Sequence, residues 1–319
     1  MRRSVGVEPL QVVPAFAVEV PDGPAWLIEN LWGEQAVGIL GGAPKSGKTW
    51  LALELALAVA SGQPALEHFA VPRAGPVLLF AAEDSPPMVR TRLEGLAHIQ
   101  GVRLEDVPVH LILASRLRLD TPDDQGRLAD AVRKLRPRLL VLDPFVRIYG
   151  SIDENQAGDV ARILGYLREL SRTHDLSILV VHHTRKAAGA AGQGGLSLRG
   201  SGDFYAWTDE SLTLRKHKGQ LLLDVEHRHA PSPEPLPLEL RGGDEDHPPH
   251  LAIGADGRPA EGIELHEQII EVLGREDGPV TQDVLRSGLH VRMQRLVDAL
   301  RLLEQQGRAA RSAAGWSLT

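Results

Sequence analysis

The sequence predicts an α/β fold built on a mostly parallel sheet, with a smaller domain appended at its C-terminal side. Three observations predict it. Short, continuously apolar runs recur through residues 34–240 and alternate with longer stretches of helical periodicity, the rhythm of βαβ units. One of those runs, AVGIL (36–40), leads through a glycine-rich segment into an Ala/Leu-rich helical pattern. The chain has 319 residues, enough for two domains at about 150 residues each, and a Pro/Gly-rich stretch over 230–260 separates two regions of globular character.

Taken in order, residues 1–33 are punctuated by proline and close on WLIENLWG, a lead-in segment. The predicted strands are AVGIL (36–40), PVLLF (76–80), VHLIL (109–113), RLLVLD (138–143) and SILVV (177–181). Helical periodicity lies between them over 47–60, 86–97, 124–135 and 157–173. SLTLRK (211–216) and QLLLDVEHR (220–228) alternate as an antiparallel pair at the sheet edge. The segment AAGAAGQGGLSLRGSG (187–202) is too poor in large apolar residues to pack. Residues 230–260 read as linker with room for one strand. Beyond it come a helix (IELHEQIIEVLG), a turn, a short helix from Thr281, a longer helix (VRMQRLVDALRLLEQQG) and a closing hairpin (ARSAAGWSLT). The predicted division is therefore a lead-in over 1–33, an ATPase-sized core over 34–240, a linker over 241–262 and a small domain over 263–319.

Composition removes several classes. With 43% apolar and 24% charged residues the chain is neither disordered nor fibrous. The absence of cysteine removes disulfides, thiolate metal sites and thiol nucleophiles. A formal charge of −7 argues against a non-specific nucleic-acid coat, so any nucleic-acid contact has to be local. The N-terminal residues lack the apolar stretch of a secretion signal, and the longest apolar run, Leu55 to Ala60, is far below the ~20 residues of a membrane span. A soluble, cytoplasmic protein with no membrane partner is expected.

Gly42-Ala43-Pro44-Lys45-Ser46-Gly47-Lys48-Thr49 matches the phosphate-loop pattern GxxxxGK[ST] in full, between a strand and a helix that begins at Trp50. Glycines let backbone N–H groups approach phosphate oxygens, and the helix N-terminus adds partial positive charge. Lys48 is positioned for the β- and γ-phosphates, and the Thr49 hydroxyl for Mg²⁺. Gly42 to Trp50 are accordingly the expected nucleotide-binding residues. The strand RLLVLD closes on Asp143, a carboxylate suited to the Mg²⁺ shell. ATP and Mg²⁺ are the expected cofactors.

Hydrolysis further needs a group that positions water near the γ-phosphate. PVLLFAA ends in Glu83-Asp84, and the C-terminal ends of parallel strands gather on the ligand side of a sheet. Glu83 is the candidate base, the alternative being that the two acids cap the following helix. SILVV ends in His182-His183; neighbours in a strand point to opposite faces, so one of them at most, taken as His183, faces the nucleotide.

GGAPKSGKTWLALELALAVASG, FAAEDS, LLVLDPF, LVVHHT and LRGSGDFYAWTDESLTLRK, in this order, resemble the RecA/DnaB-type ATPases, and within them the plasmid RepA-like hexameric helicases and their stand-alone AAA-type relatives. The resemblance spans residues 25–230 and implies a RecA-like core, Mg-ATP hydrolysis and a ring whose sites are completed by neighbours. It implies the phosphate-loop roles for Lys48 and Thr49, the metal role for Asp143, the catalytic glutamate for Glu83 and the γ-phosphate sensor for the His182-His183 pair. An arginine finger at the end of a late strand falls on Arg228, with Arg199 and Arg215 as alternatives. Two departures accompany it: Glu226 stands where a second basic residue is usual, and Asp209-Glu210 stand where RepA-like proteins carry an arginine.

By the same resemblance the segment 184–202 faces a central channel. It carries Arg185, Lys186 and Arg199 and, up to Gly202, no acid, which suits a single-stranded DNA backbone; a simple solvated loop is the alternative. The C-terminal region resembles a winged helix. Six arginines (286, 292, 295, 301, 308, 311) face Asp298 and Glu304, so DNA contact through Arg292 and Arg295 and protein docking both remain open. The expected function is ATP hydrolysis by a homo-oligomeric, hexameric ring acting on DNA. The alternative is an ATP-switched DNA-binding or regulatory protein without unwinding activity; a small-molecule kinase is disfavoured because no Arg-rich lid is visible.

Overall fold

The computed structural model describes residues 12–18, 25–150, 157–183, 202–217, 219–243 and 248–254, and in the C-terminal part 269–270, 272–274, 278–289, 296–297, 300–301, 303–304, 308–312 and 315–318. The chain divides into two compact units, Met1–Pro235 with Leu240–Ala252, and Leu236–Glu239 with Ile253–Thr319.

The first unit opens on a two-stranded hairpin, β1 (Trp26–Ile28) and β2 (Trp32–Gly33), within the segment expected only as a lead-in. Then follow β3 (Val37–Gly42), α1 (Lys48–Ser61), β4 (Val77–Ala81), α2 (Pro86–Ile99), β5 (Val109–Leu111), α3 (Pro122–Leu135), β6 (Leu139–Asp143), α4 (Ala157–His174), β7 (Ser177–His183), α5 (Gly202–Trp207), β8 (Glu210–His217) and β9 (Gln220–His227). β10 (Leu236–Arg241) and β11 (His250–Ile253) come next, where the division between the units falls. The strand order is β11-β10-β9-β8-β3-β7-β6-β4-β5. From β8 to β5 every recorded pairing is parallel, whereas β8 and β9 form an antiparallel hairpin.

The sequence explains this order element by element. β3, β6 and all but the last residue of β7 are buried along their length, the pattern of strands covered on both faces. On one face Val37, Ile39, Leu78, Phe80, Leu140, Leu142, Ile178 and Val180 pack with α3, α4 and α5. On the other lies α1, whose leucines and alanines are buried on all sides because it rests across β3, β4, β6 and β7. α1 stops at Gly62, which adopts φ +79 and returns its N–H to the Ala58 carbonyl at 2.8 Å. α3 is stabilised at both ends: Pro122, Asp123 and Asp124 occupy its first turn, and Arg133 and Lys134 its last.

The Pro/Gly-rich stretch holds two strands where one was expected, and β11 lies inside the range 241–262 read as linker. Leu236 and Leu238 are buried two residues apart in β10, and Leu251 and Ala252 are buried side by side in β11, so apolar content here outweighs turn-rich surroundings. The second unit contains α6 (Gln282–Leu289) and the hairpin β12 (Ala309–Ser312) with β13 (Gly315–Leu318). Its core joins Ile269, Leu273, Leu285, Leu296, Leu300 and Trp316. Val280 and Trp316 exchange two backbone hydrogen bonds, each 2.8 Å, tying the turn before α6 to the hairpin. Among the described residues no helix is long and apolar enough to cross a membrane.

Candidate nucleotide site

The site is assembled where β3 hands over to α1. Gly42 and Gly47 take φ of +155 and +97, backbone that side-chain-bearing residues avoid, and a Cβ on Gly42 would lie 2.8 Å from the Leu214 carbonyl and from Ser46 Oγ. α1 has no side-chain cap, so its first N–H groups are left for an external acceptor. Ser46 Oγ is likewise buried without a hydrogen-bond partner, an orphan that an anion at the loop would satisfy.

Lys48 is 5% exposed and its Nζ donates to the Gly42 and Ala43 carbonyls at 3.0 and 2.8 Å. Burial lowers its pKa, opposed by the charges of Asp143 and Glu83. Parallel pairing of β6, β7 and β4 beside β3 brings the other groups to the same end. Asp143, 6% exposed, ends β6 next to Ala81 of β4. Burial pushes its carboxyl up to about 6, the Glu83 and Asp84 charges add to this, and a hydrogen bond from Thr49 together with Lys48 opposes it.

This donor set fits Mg²⁺. One buried carboxylate and one hydroxyl, both hard oxygen ligands, are what an ion takes when phosphates and water complete its shell. Among the described residues no group of three or more acids and histidines encloses a metal by itself.

Glu83 follows β4 and is half-exposed, with Arg147 Nε 3.8 Å from its Oε1. Asp84 is ion-paired with Arg92 of α2, whose guanidinium stands 5.1 Å above the Trp50 ring. Ser85, rather than either acid, occupies the N-cap position of α2. The two histidines diverge: His182 is buried, stacked on Phe204 at 4.7 Å and edge-on to Phe145, whereas His183 is partly exposed and in register with Gly42.

Lys48, Thr49, Asp143, Glu83 and His183 thus share one end of the sheet. Arg228 does not join them. β9 runs antiparallel, so Arg228 lies at the opposite end, bonded to Asp209 at 3.3 Å and to the Ala206 carbonyl at 3.2 Å. Asp209 also pairs with Arg168 and accepts from Val37 N at 3.2 Å. Beside it Glu210 pairs with His227 and accepts from Gly33 N at 3.2 Å. A cavity of about 640 Å³ lined by Trp26, Arg168, Trp207 and Arg228 lies here, away from the phosphate loop. Arg215 is on β8, held by Asp224 at 3.0 Å. Arg199, the rest of the channel segment 184–201, Arg292 and Arg295 fall outside the described residues.

Arg92 and Arg147 had no motif to announce them. The i to i+8 spacing of Asp84 and Arg92 across a helix start carries a weak signal. Arg147, 64 positions from Glu83, carries none.

A family model described as the AAA domain matches residues 4–189, more than half of the chain. Among solved structures, one described as an isolated ATPase domain is similar with a TM-score of 0.51 and 12% identity, over 65% of this chain and 82% of that one. A DnaB-like replicative helicase, described with its interactions with primase, is similar with a TM-score of 0.51 and 12% identity. The match covers 65% of this chain and 56% of that helicase, so the chain accounts for little more than half of its length. At that identity the likeness concerns the fold, which is the RecA-like ATPase fold of DnaB-like helicases.

Proposed function

The chain belongs to the AAA domain family of ATPases, and from that premise we propose that it is a Mg²⁺-dependent, ring-forming ATPase that acts on DNA as a helicase-like motor. The observation that carries the reading is the convergence of Lys48, Asp143 and Glu83 at one end of the sheet, beside the unpartnered Ser46 hydroxyl.

In this reading ATP phosphates occupy the loop Gly42–Thr49. Lys48 turns from the carbonyls of Gly42 and Ala43 to the β- and γ-phosphates. Thr49 and Asp143 hold Mg²⁺, which neutralises charge on the phosphate oxygens when bound. Glu83 orients a water and takes its proton as the water oxygen bonds to the γ-phosphorus. The bond from that phosphorus to the β,γ-bridging oxygen breaks, and ADP leaves with the electron pair. His183, opposite Gly42, reports the γ-phosphate to the segment that follows β7. An arginine from the adjacent subunit, Arg228 before Arg199, completes the site. The second unit is a winged helix that contacts DNA or a partner protein, and the protein works in the cytoplasm.

Glu83→Gln is expected to bind ATP with near-normal affinity while turnover falls by ~10²–10⁴-fold; unchanged hydrolysis would remove Glu83 from the mechanism. If Arg228 acts in trans, mixing Arg228→Ala with Lys48→Ala subunits restores part of the activity, and no recovery at any ratio counts against it. The engagement of Arg228 by Asp209 favours a second reading, an ATP-switched DNA-binding protein in which hydrolysis is slow. Strand displacement stimulated by single-stranded DNA supports the first, and duplex binding without unwinding the second.

A further inference from the structure

Glu83 differs from the other groups of the site in how it is held. Lys48 and Asp143 are buried and hydrogen-bonded, and Asp84 is fixed by Arg92. Glu83 stands beyond the end of β4 with about half of its side chain exposed, so several rotamers are open to it. A base that must present one oxygen to one water molecule needs a defined position. Among the described residues, Arg147 is the side chain within ion-pair distance of it.

Arg147 is itself borne on an anchored turn. After Asp143 the chain makes one 3₁₀ turn, Phe145–Arg147, closed by Arg147 N donating to the Pro144 carbonyl at 3.0 Å. Phe145 is fully buried, edge-on to Phe204 at 4.9 Å. Ile148 is fully buried too, and its carbonyl accepts from Leu119 N at 2.7 Å. Between those two anchors the Arg147 side chain leaves the turn toward Glu83, from the strand that carries Asp143. The backbone that sets the metal carboxylate therefore also sets the cation facing the base.

We propose that Arg147 is a positioning residue for Glu83: its guanidinium confines the Glu83 carboxylate to the arrangement that orients the attacking water, without touching the nucleotide. The inference rests on the reading of Glu83 as the base. At 3.8 Å the pair is loose enough for the carboxylate to stay basic and solvent-reachable, as a proton acceptor requires.

The test uses the full chain, measuring ATP turnover and equilibrium binding of fluorescent ATP and ADP analogues. The variants are Arg147→Ala, Arg147→Lys, Glu83→Gln and the double variant Glu83→Gln/Arg147→Ala, each first matched to the parent in melting temperature. Arg147→Ala is expected to lower kcat roughly tenfold, a part of what a positioned base supplies, with ATP and ADP affinities within about twofold of the parent. Arg147→Lys recovers part of the loss, and the double variant turns over no more slowly than Glu83→Gln alone, because the two residues act as a unit. Unchanged kcat in Arg147→Ala overturns the proposal. So does a selective loss of ATP over ADP affinity, which would put the guanidinium on the γ-phosphate, or a double variant whose losses multiply. Normal turnover in Glu83→Gln would overturn the base assignment and this proposal together, whereas a defect in Glu83→Gln alongside normal Arg147→Ala removes the proposal only.

Discussion

The C-terminal ends of β3, β4, β6 and β7 and the opposite ends of β3, β8 and β9 both collect charged side chains, and they complete them differently. At the second end, Asp209 has two arginines and a backbone N–H, and Glu210 has His227 and a backbone N–H. At the first end, Lys48 settles for carbonyls, Asp143 is driven toward protonation, Ser46 has no partner and Glu83 has one loose contact. Similar residue types, at the two ends of one sheet, are satisfied where they hold strands and left wanting where a ligand is expected. A folded chain tolerates such deficits only where something else compensates them.

The comparison is broken most sharply by Lys48→Met. Loss of the phosphate-facing ammonium should cut ATP turnover by ~10²–10³-fold, while the nucleotide-free protein melts at the same temperature or higher, since a buried cation has been replaced by an apolar chain. A lower melting temperature would mean that Lys48 supports the fold after all. Next comes Asp209→Ala, which should act the opposite way. Arg168 and Arg228 lose their shared carboxylate, costing ~2–3 kcal/mol, so thermal unfolding should move down by roughly 5–10 °C with nucleotide affinity retained. An unchanged melting temperature would show that the second end is not structural.

Glu54 sharpens the contrast within the nucleotide helix. It is 5% exposed in α1 and accepts from Leu66 N at 3.1 Å and from Gln100 Nε2 at 3.3 Å, yet burial still raises its pKa. Because the folded pKa exceeds the unfolded one, the stability linked to its proton is complete below about pH 4.5 and is lost as the pH rises through the folded value. Glu54→Gln should therefore raise the melting temperature by about 2–4 °C at pH 8, and the gain should fade toward pH 4. A gain independent of pH would point to packing. The smallest effect belongs to the exposed pair Arg90–Glu94, one turn apart on α2 at 2.7 Å. Arg90→Ala should change stability by no more than ~0.5 kcal/mol, and calorimetry showing more would mean that α2 depends on its surface charges.

Legibility in the sequence followed the same divide. The phosphate loop, Asp143 and the buried strands are written in contiguous residues, where spacing and apolar runs carry the signal, and those strands lie within a residue or two of where periodicity puts them. β10 and β11 were obscured because prolines and glycines around them mimic a linker, although Leu236 and Leu238 already alternated. The pairings of Glu83 with Arg147 and of Trp50 with Arg92 were invisible, since they depend on which strand ends meet. No local pattern encodes that β6 lies beside β4.

The order β8-β3-β7 has a consequence for how the chain comes into being. The loop strand β3 ends at residue 42, but both of its neighbours are made much later, β7 at 177–183 and β8 at 210–217. A nascent chain therefore carries an apolar, two-edged strand for more than 130 residues of synthesis before either edge is covered. The region matched by the family model stops at residue 189, past β7 and short of β8. A fragment cut there would keep the whole phosphate-loop motif, yet Gly38–Gly42 would lack the strand that pairs with them on one side. During biogenesis, the first motif to be translated waits for nearly the last strand of its own sheet.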